Sequence, residues 1–126
     1  MIKPKLITVR EFCAELRSGN WKQGFGCLCR VDNGEETWCP LGIGAAMTGQ
    51  NLFRMALAQT TKAFPNRPFL SDLPKAMEGK RNDVEIFVKK YNRRVGISVL
   101  NDDHMSLPQI ADAVWNEFLA HTYEAK

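Results

Sequence analysis

Thr37-Trp38-Cys39-Pro40-Leu41-Gly42-Ile43-Gly44-Ala45-Ala46-Met47-Thr48-Gly49 is the stretch around which the rest of the chain is organised. A bulky aromatic and a cysteine lead into a run of small and apolar residues. Pro40 suits a first helical turn, where no backbone N–H is required, and Gly49 suits the left-handed stop after the last turn. A glycine inside a helix costs about 1 kcal/mol relative to alanine. Gly42 and Gly44 together therefore imply close backbone packing that offsets this cost. The spacing predicts a central buried helix over 40–48, with Trp38 and Cys39 at its mouth.

The totals bound the rest. A chain of 126 residues, 44% hydrophobic and 25% charged, is expected to form a single domain, 1–126, with a substantial core. The net charge of +3 is too mild to argue for nucleic acid by itself. No apolar run approaches the ~18 residues of a membrane span, and no signal-peptide core follows Met1, so a cytoplasmic location is expected, with no membrane partner. Cys13, Cys27, Cys29 and Cys39 are then reduced thiols.

Outward from the central stretch, Thr8 and Glu11 have capping-box spacing, and Val9, Phe12, Cys13 and Leu16 fall on one helical face. This predicts a helix over 8–18, ended by Gly19. Phe25, Cys27, Cys29 and Val31 alternate with Gly24, Gly26, Leu28 and Arg30, the period of a half-buried strand. Asn33-Gly34 predicts a tight hairpin turn, and Glu35 to Trp38 the returning strand.

Downstream, residues 51–63 can form a helix. Phe64-Pro65-Asn66-Arg67-Pro68-Phe69 reads as an extended connector, because each proline disfavours helix in the residue before it. A short helical turn is expected from Asp72, with Pro74 at its start. Val84, Phe87, Val88 and Tyr91 share one helical face, which predicts a helix over 84–94 ending in Lys89, Lys90, Arg93 and Arg94. Asn101-Asp102-Asp103-His104 reads as a turn, and Ser106 with Gln109 as a second capping box opening the last helix, through about residue 121. The expected fold class is α+β: a mostly helical domain of about five helices, with one short β-hairpin packed on the central small-residue helix.

Three sets of residues can carry function. Cys39 precedes a helix N-terminus, which lowers a thiol pKa, and His104 with Asp102 lies downstream as a base and its orienter would. That combination would serve a cysteine-dependent hydrolase or transferase. Cys27, Cys29, Cys39 and His104 nominally form a Cys₃His set, but structural zinc favours knuckles with two to four intervening residues, so no metal and no cofactor is expected. Lys89, Lys90, Arg93 and Arg94 form the densest positive cluster, suited to an acidic partner or to nucleic acid. Cations are also simply favoured at a helix C-terminus.

Gln23-Gly24, Trp38-Cys39-Pro40-Leu41-Gly42 and Leu100-Asn101-Asp102 followed by Ile110-Ala111 together resemble a diffuse family of small bacterial and phage proteins of unassigned role. The resemblance implies a compact, mostly helical α+β domain and leaves the activity open. Pro40 stands where the family would place a small residue, and the 50–81 segment is particular to this chain. Trp38, Cys39, Leu41, Gly42, Asn101 and Asp102 are accordingly expected to be structural. Asn101 and Asp102 are expected to bond backbone amides in their own turn, and Asp102 is placed to accept from the mouth of the central helix. The leading expectation is a small accessory protein that binds a protein partner, a phage origin being the source the resemblance suggests. Nucleic acid is the less favoured partner, and the cysteine enzyme is the alternative from another class.

Overall fold

The computed structural model describes residues 5–50, 64–65 and 67–124. The helix expected over 51–63 lies outside the described residues. Along the rest run α1 (Val9–Arg17), β1 (Cys29–Asp32), β2 (Glu35–Trp38), α2 (Pro40–Met47), β3 (Glu85–Val88), β4 (Arg93–Gly96), α3 (Ile97–Asp102) and α4 (Leu107–Glu124). The architecture is α+β, with four described α-helices and two separate antiparallel two-stranded sheets.

Local signals account for the first half. The Thr8 hydroxyl accepts from the Glu11 amide at 3.1 Å, and the Glu11 carboxylate accepts from the Thr8 amide at 3.0 Å. This reciprocal cap satisfies two amides that the helix cannot pair internally. A third donor, the Val9 amide, goes to Asp72 at 2.8 Å, so a residue from far downstream completes the α1 N-terminus. The face Val9, Phe12, Cys13 and Leu16 is buried as its spacing requires. Asn33 and Gly34 take left-handed φ values of 52° and 79°, and β1 pairs with β2 in the register Cys29↔Trp38 to Asp32↔Glu35.

α2 lies in the core, with Pro40 through Ala45 all buried. Its glycines mark two close approaches. A Cβ on Gly42 would overlap the backbone carbonyl of Leu28, and one on Gly44 would overlap the Phe69 ring. Leu28 also accepts the Cys39 amide at 3.2 Å, so the end of the hairpin is fastened to the helix mouth. The Phe69 ring meets Phe12 edge-on at 5.0 Å, which joins α1, α2 and the 64–70 connector in one cluster. α4 packs along α1, with Arg17 and Asp112 paired across them at 2.8 Å.

The second half departs from expectation at residues 84–94. This segment is a hairpin, not a helix: β3 pairs with β4 from Glu85↔Gly96 to Val88↔Arg93. Helical periodicity had grouped Val84, Phe87, Val88 and Tyr91. Instead Ile86 and Val95 face each other and are buried, while Phe87 is exposed. Docking onto α4 supplies what an isolated hairpin lacks, because the Phe87 amide donates to Glu117 at 3.2 Å. The expected helical turn from Asp72 is a 3₁₀ turn over Lys75–Met77, since Asp72 is already engaged at α1. Residues 97–102 form a short helix, so Asn101 and Asp102 are helical rather than part of a turn.

Candidate functional site

Cys39 is the N-cap of α2, and its Sγ accepts from the Gly42 amide at 3.4 Å. The residue is only 2% exposed. Burial pushes its thiol up to about 12, outweighing the amides of Gly42 and Leu41 that favour the thiolate. The helix N-terminus is thus present, as its sequence predicts, but desolvation wins. His104 is exposed and stacks on Phe25, and no hydrogen bond joins it to Cys39. A nucleophile–base pair is not formed between them. Among the described residues, no group of His, Cys, Asp or Glu side chains is arranged to hold a metal ion.

The thiol makes a testable consequence of its burial. Iodoacetamide leaves Cys39 unmodified in the folded protein and modifies it after denaturation; rapid labelling of the native chain would overturn its assignment as a buried cap. Burial also raises the Cys13 thiol, to about 11. Raised folded-state values stabilise the fold below the unfolded thiol pKa of about 8.5, and that contribution is lost as pH rises toward the folded values. Each thiol contributes a slope of about 1.4 kcal/mol per pH unit in that window. A Cys39→Ala variant should therefore lose less stability than the wild type between mildly and strongly alkaline pH. An equal loss in both proteins would contradict the shift.

The three sequence boxes do converge. Gly24 donates to the Trp38 carbonyl at 2.7 Å, and Trp38 donates to the Lys22 carbonyl at 2.8 Å. The buried Asn101 side chain donates to the Gly24 carbonyl at 2.9 Å and accepts from Gln23 at 2.7 Å. The same Gln23 amide reaches the Met105 carbonyl at 2.7 Å. Gln23, Gly24, Trp38 and Asn101 are therefore one structural network at the mouth of α2. Asp102, expected to serve that mouth, is exposed; Asn101 makes the contact instead. One residue of helical rotation turns the neighbouring side chain away from the shared face.

The basic cluster sits on the β3–β4 hairpin and its tip rather than at a helix end. Arg94 faces back toward the fold, bonding the Ala76 carbonyl at 2.6 Å and pairing with Glu85 and Glu117, each at 3.3 Å. Glu117 is also 2.6 Å from the half-buried His121, which the sequence alone marks as a surface residue. Lys90 pairs with Asp103 at 3.2 Å, and the Tyr91 hydroxyl donates to the same carboxylate. These two bonds hold the Asp103 carboxyl below the usual carboxylate range. Lys89 and Arg93 are exposed and carry no ion pair among the described residues.

Asp103 joins this tip to a second exposed feature. His104 adopts a left-handed φ of 64°, and its ring lies 4.4 Å from that of Phe25. Phe25 is 40% exposed. Its alternation with Cys27 and Cys29 predicts a buried side chain, yet Gly26 at φ 83° bends the chain and β1 starts only at Cys29. Val31 is exposed for the same loss of alternation. A continuous surface results: Phe25, His104, Asp103, Tyr91 and Lys90, flanked by Lys89 and Arg93. Sequence reasoning passed over Phe25, Tyr91 and Asp103 as members of it. The positive φ at His104 has no local sequence signal. No described helix is long and apolar enough to cross a membrane. The chain matches no protein-family model, no curated protein and no solved structure.

Proposed function

We propose that this chain is a small accessory protein that binds a protein partner through the surface formed by Phe25, His104 and the β3–β4 tip. The observation that carries this reading is an exposed aromatic ring stacked on an exposed His104, beside two cations with no ion pair among the described residues. Amphipathic aromatic and cationic side chains are the types that concentrate binding energy at protein interfaces. The other motif residues are already spent: Cys39 on a helix cap, Gln23 and Asn101 on each other, Arg94 on Glu85 and Glu117. A protein is favoured over nucleic acid because two of the four clustered cations, Lys90 and Arg94, are neutralised internally. A phage origin and a cytoplasmic setting belong to this same proposal.

Capture from host lysate on immobilised wild type, Phe25→Ala and Lys89→Gln/Arg93→Gln tests it. Both variants should retain the wild-type melting temperature and lose the same captured protein. Capture unchanged in both would remove the proposal. Capture of nucleic acid, with an affinity that falls by about 0.9 log units per log unit of salt for each phosphate contacted, would replace it with the phosphate reading.

A further inference from the structure

The 68–73 segment carries an incomplete strand. The Ile7 amide donates to the Phe69 carbonyl at 2.9 Å, and the Ser71 amide donates to the Ile7 carbonyl at 2.8 Å. These two bonds turn the amide and carbonyl of Leu70 to the opposite edge, because successive peptide groups of an extended chain point to opposite sides. Leu70 is only 8% exposed, yet neither its N–H nor its C=O has a hydrogen-bond partner among the described residues. Orphaned backbone groups at this burial are rare in folded proteins and call for a partner from outside the chain.

A cavity of about 240 Å³ lies beside that residue. Its described walls are the 68–73 segment and the turn around Gly79, Asn82 and Asp83, and they exclude Ile7, so the cavity is on the unpaired side. Across it, the 78–84 chain is closed on itself by the Glu78↔Val84 bridge and cannot supply the missing bonds to Leu70 from its own edge. Arg81 and Asn82 hold left-handed φ values of 58° and 65° in this turn, and the Asn82 side-chain amide is anchored on the Pro65 carbonyl at 2.8 Å. The far wall is thus built by a conformation that non-glycine residues adopt at a cost.

We propose that the Leu70 edge is a strand-addition site for an extended basic peptide. One residue of an antiparallel peptide exchanges both hydrogen bonds with Leu70, the pairing that antiparallel ladders use at every second residue. The charge follows from the walls: Glu78 is exposed at the cavity and carries no ion pair among the described residues, and the Asp83 carboxyl also lines it. A lysine or arginine next to the pairing residue reaches Glu78. This site is separate from the Phe25–His104 surface and does not rest on that reading.

The probe is acetyl-Val-Lys-Val-Lys-Val-amide, titrated into the ¹⁵N-labelled full chain and followed by amide resonances. The Leu70 amide should shift downfield and saturate in the millimolar range. A peptide N-methylated along its backbone should not bind, and the acetyl-Val-Glu-Val-Glu-Val-amide counterpart should bind more weakly. Glu78→Gln, at an exposed position that leaves the fold intact, should weaken the lysine peptide by roughly threefold, as expected for one exposed ion pair. An unmoved Leu70 amide at saturating-range peptide means that water alone serves this edge and overturns the proposal. Equal binding of the acidic peptide, or of the N-methylated one, overturns it as well.

Discussion

Gly42→Ala destabilises the protein by about 3 kcal/mol or more, the upper end for overpacking a core, and lowers the melting temperature by roughly 10 °C. The added Cβ falls on the Leu28 carbonyl, and that oxygen is part of the backbone rather than the end of a flexible side chain. The same carbonyl accepts the Cys39 amide, so moving it breaks the joint between hairpin and helix. On helix propensity alone, alanine at this position would stabilise by about 1 kcal/mol. The measured sign therefore separates the two effects. Gly44→Ala should cost less, because its new methyl meets the Phe69 ring, and a side chain can turn where a backbone carbonyl cannot. Thermal melts of the two variants check both the sign and the order. A neutral or stabilising Gly42→Ala would mean that α2 does not press on Leu28.

Asn101→Leu is the second large effect, at about 2–4 kcal/mol. It removes the donor to the Gly24 carbonyl and the acceptor for Gln23 at a position only 1% exposed. Each polar group left buried without a partner costs about 1–3 kcal/mol, more than the bond itself contributes. Gln23 retains the Met105 carbonyl, so the Gly24 carbonyl carries most of the loss. A Gln23→Met/Asn101→Leu double variant should recover part of it, because both members of one pair are then apolar. Urea denaturation of the two single variants and the double provides the cycle. Strict additivity of the two changes would show that the residues do not act as one network. Asp102→Leu serves as the control, since Asp102 is exposed and its loss should change stability little.

Several elements were legible because their causes are local. The Thr8–Glu11 and Ser106–Gln109 caps each link residues three apart, and both appear with the reciprocal bonds their spacing implies. Asn33-Gly34 sets a hairpin turn through backbone conformations that few other pairs adopt readily. Pro40, Gly42 and Gly44 announce a helix that something must press against, although they do not say what.

Tertiary structure decided the rest, and residues 84–96 show why. Their apolar residues satisfy a helical period and, less completely, a strand period. The choice is made by partners distant in sequence: Glu117 receives the Phe87 amide and Arg94, and the Ala76 carbonyl receives Arg94 as well. That change of element moves Lys89 and Arg93 to a hairpin and brings Tyr91 and Lys90 to Asp103. It likewise decides that Arg94 is a structural tie. Cys39 follows the same division. Its place at a helix start was readable from Pro40, but its ionisation depends on how much chain buries it, and burial is a sum over contacts that no local motif encodes. Sequence alone determined the caps, the first hairpin and the small-residue helix, because each is set within a few bonds of chain. The candidate surface and the unpaired Leu70 edge exist only once remote segments have packed, because exposure and unmet hydrogen bonds are defined by what the rest of the chain leaves uncovered.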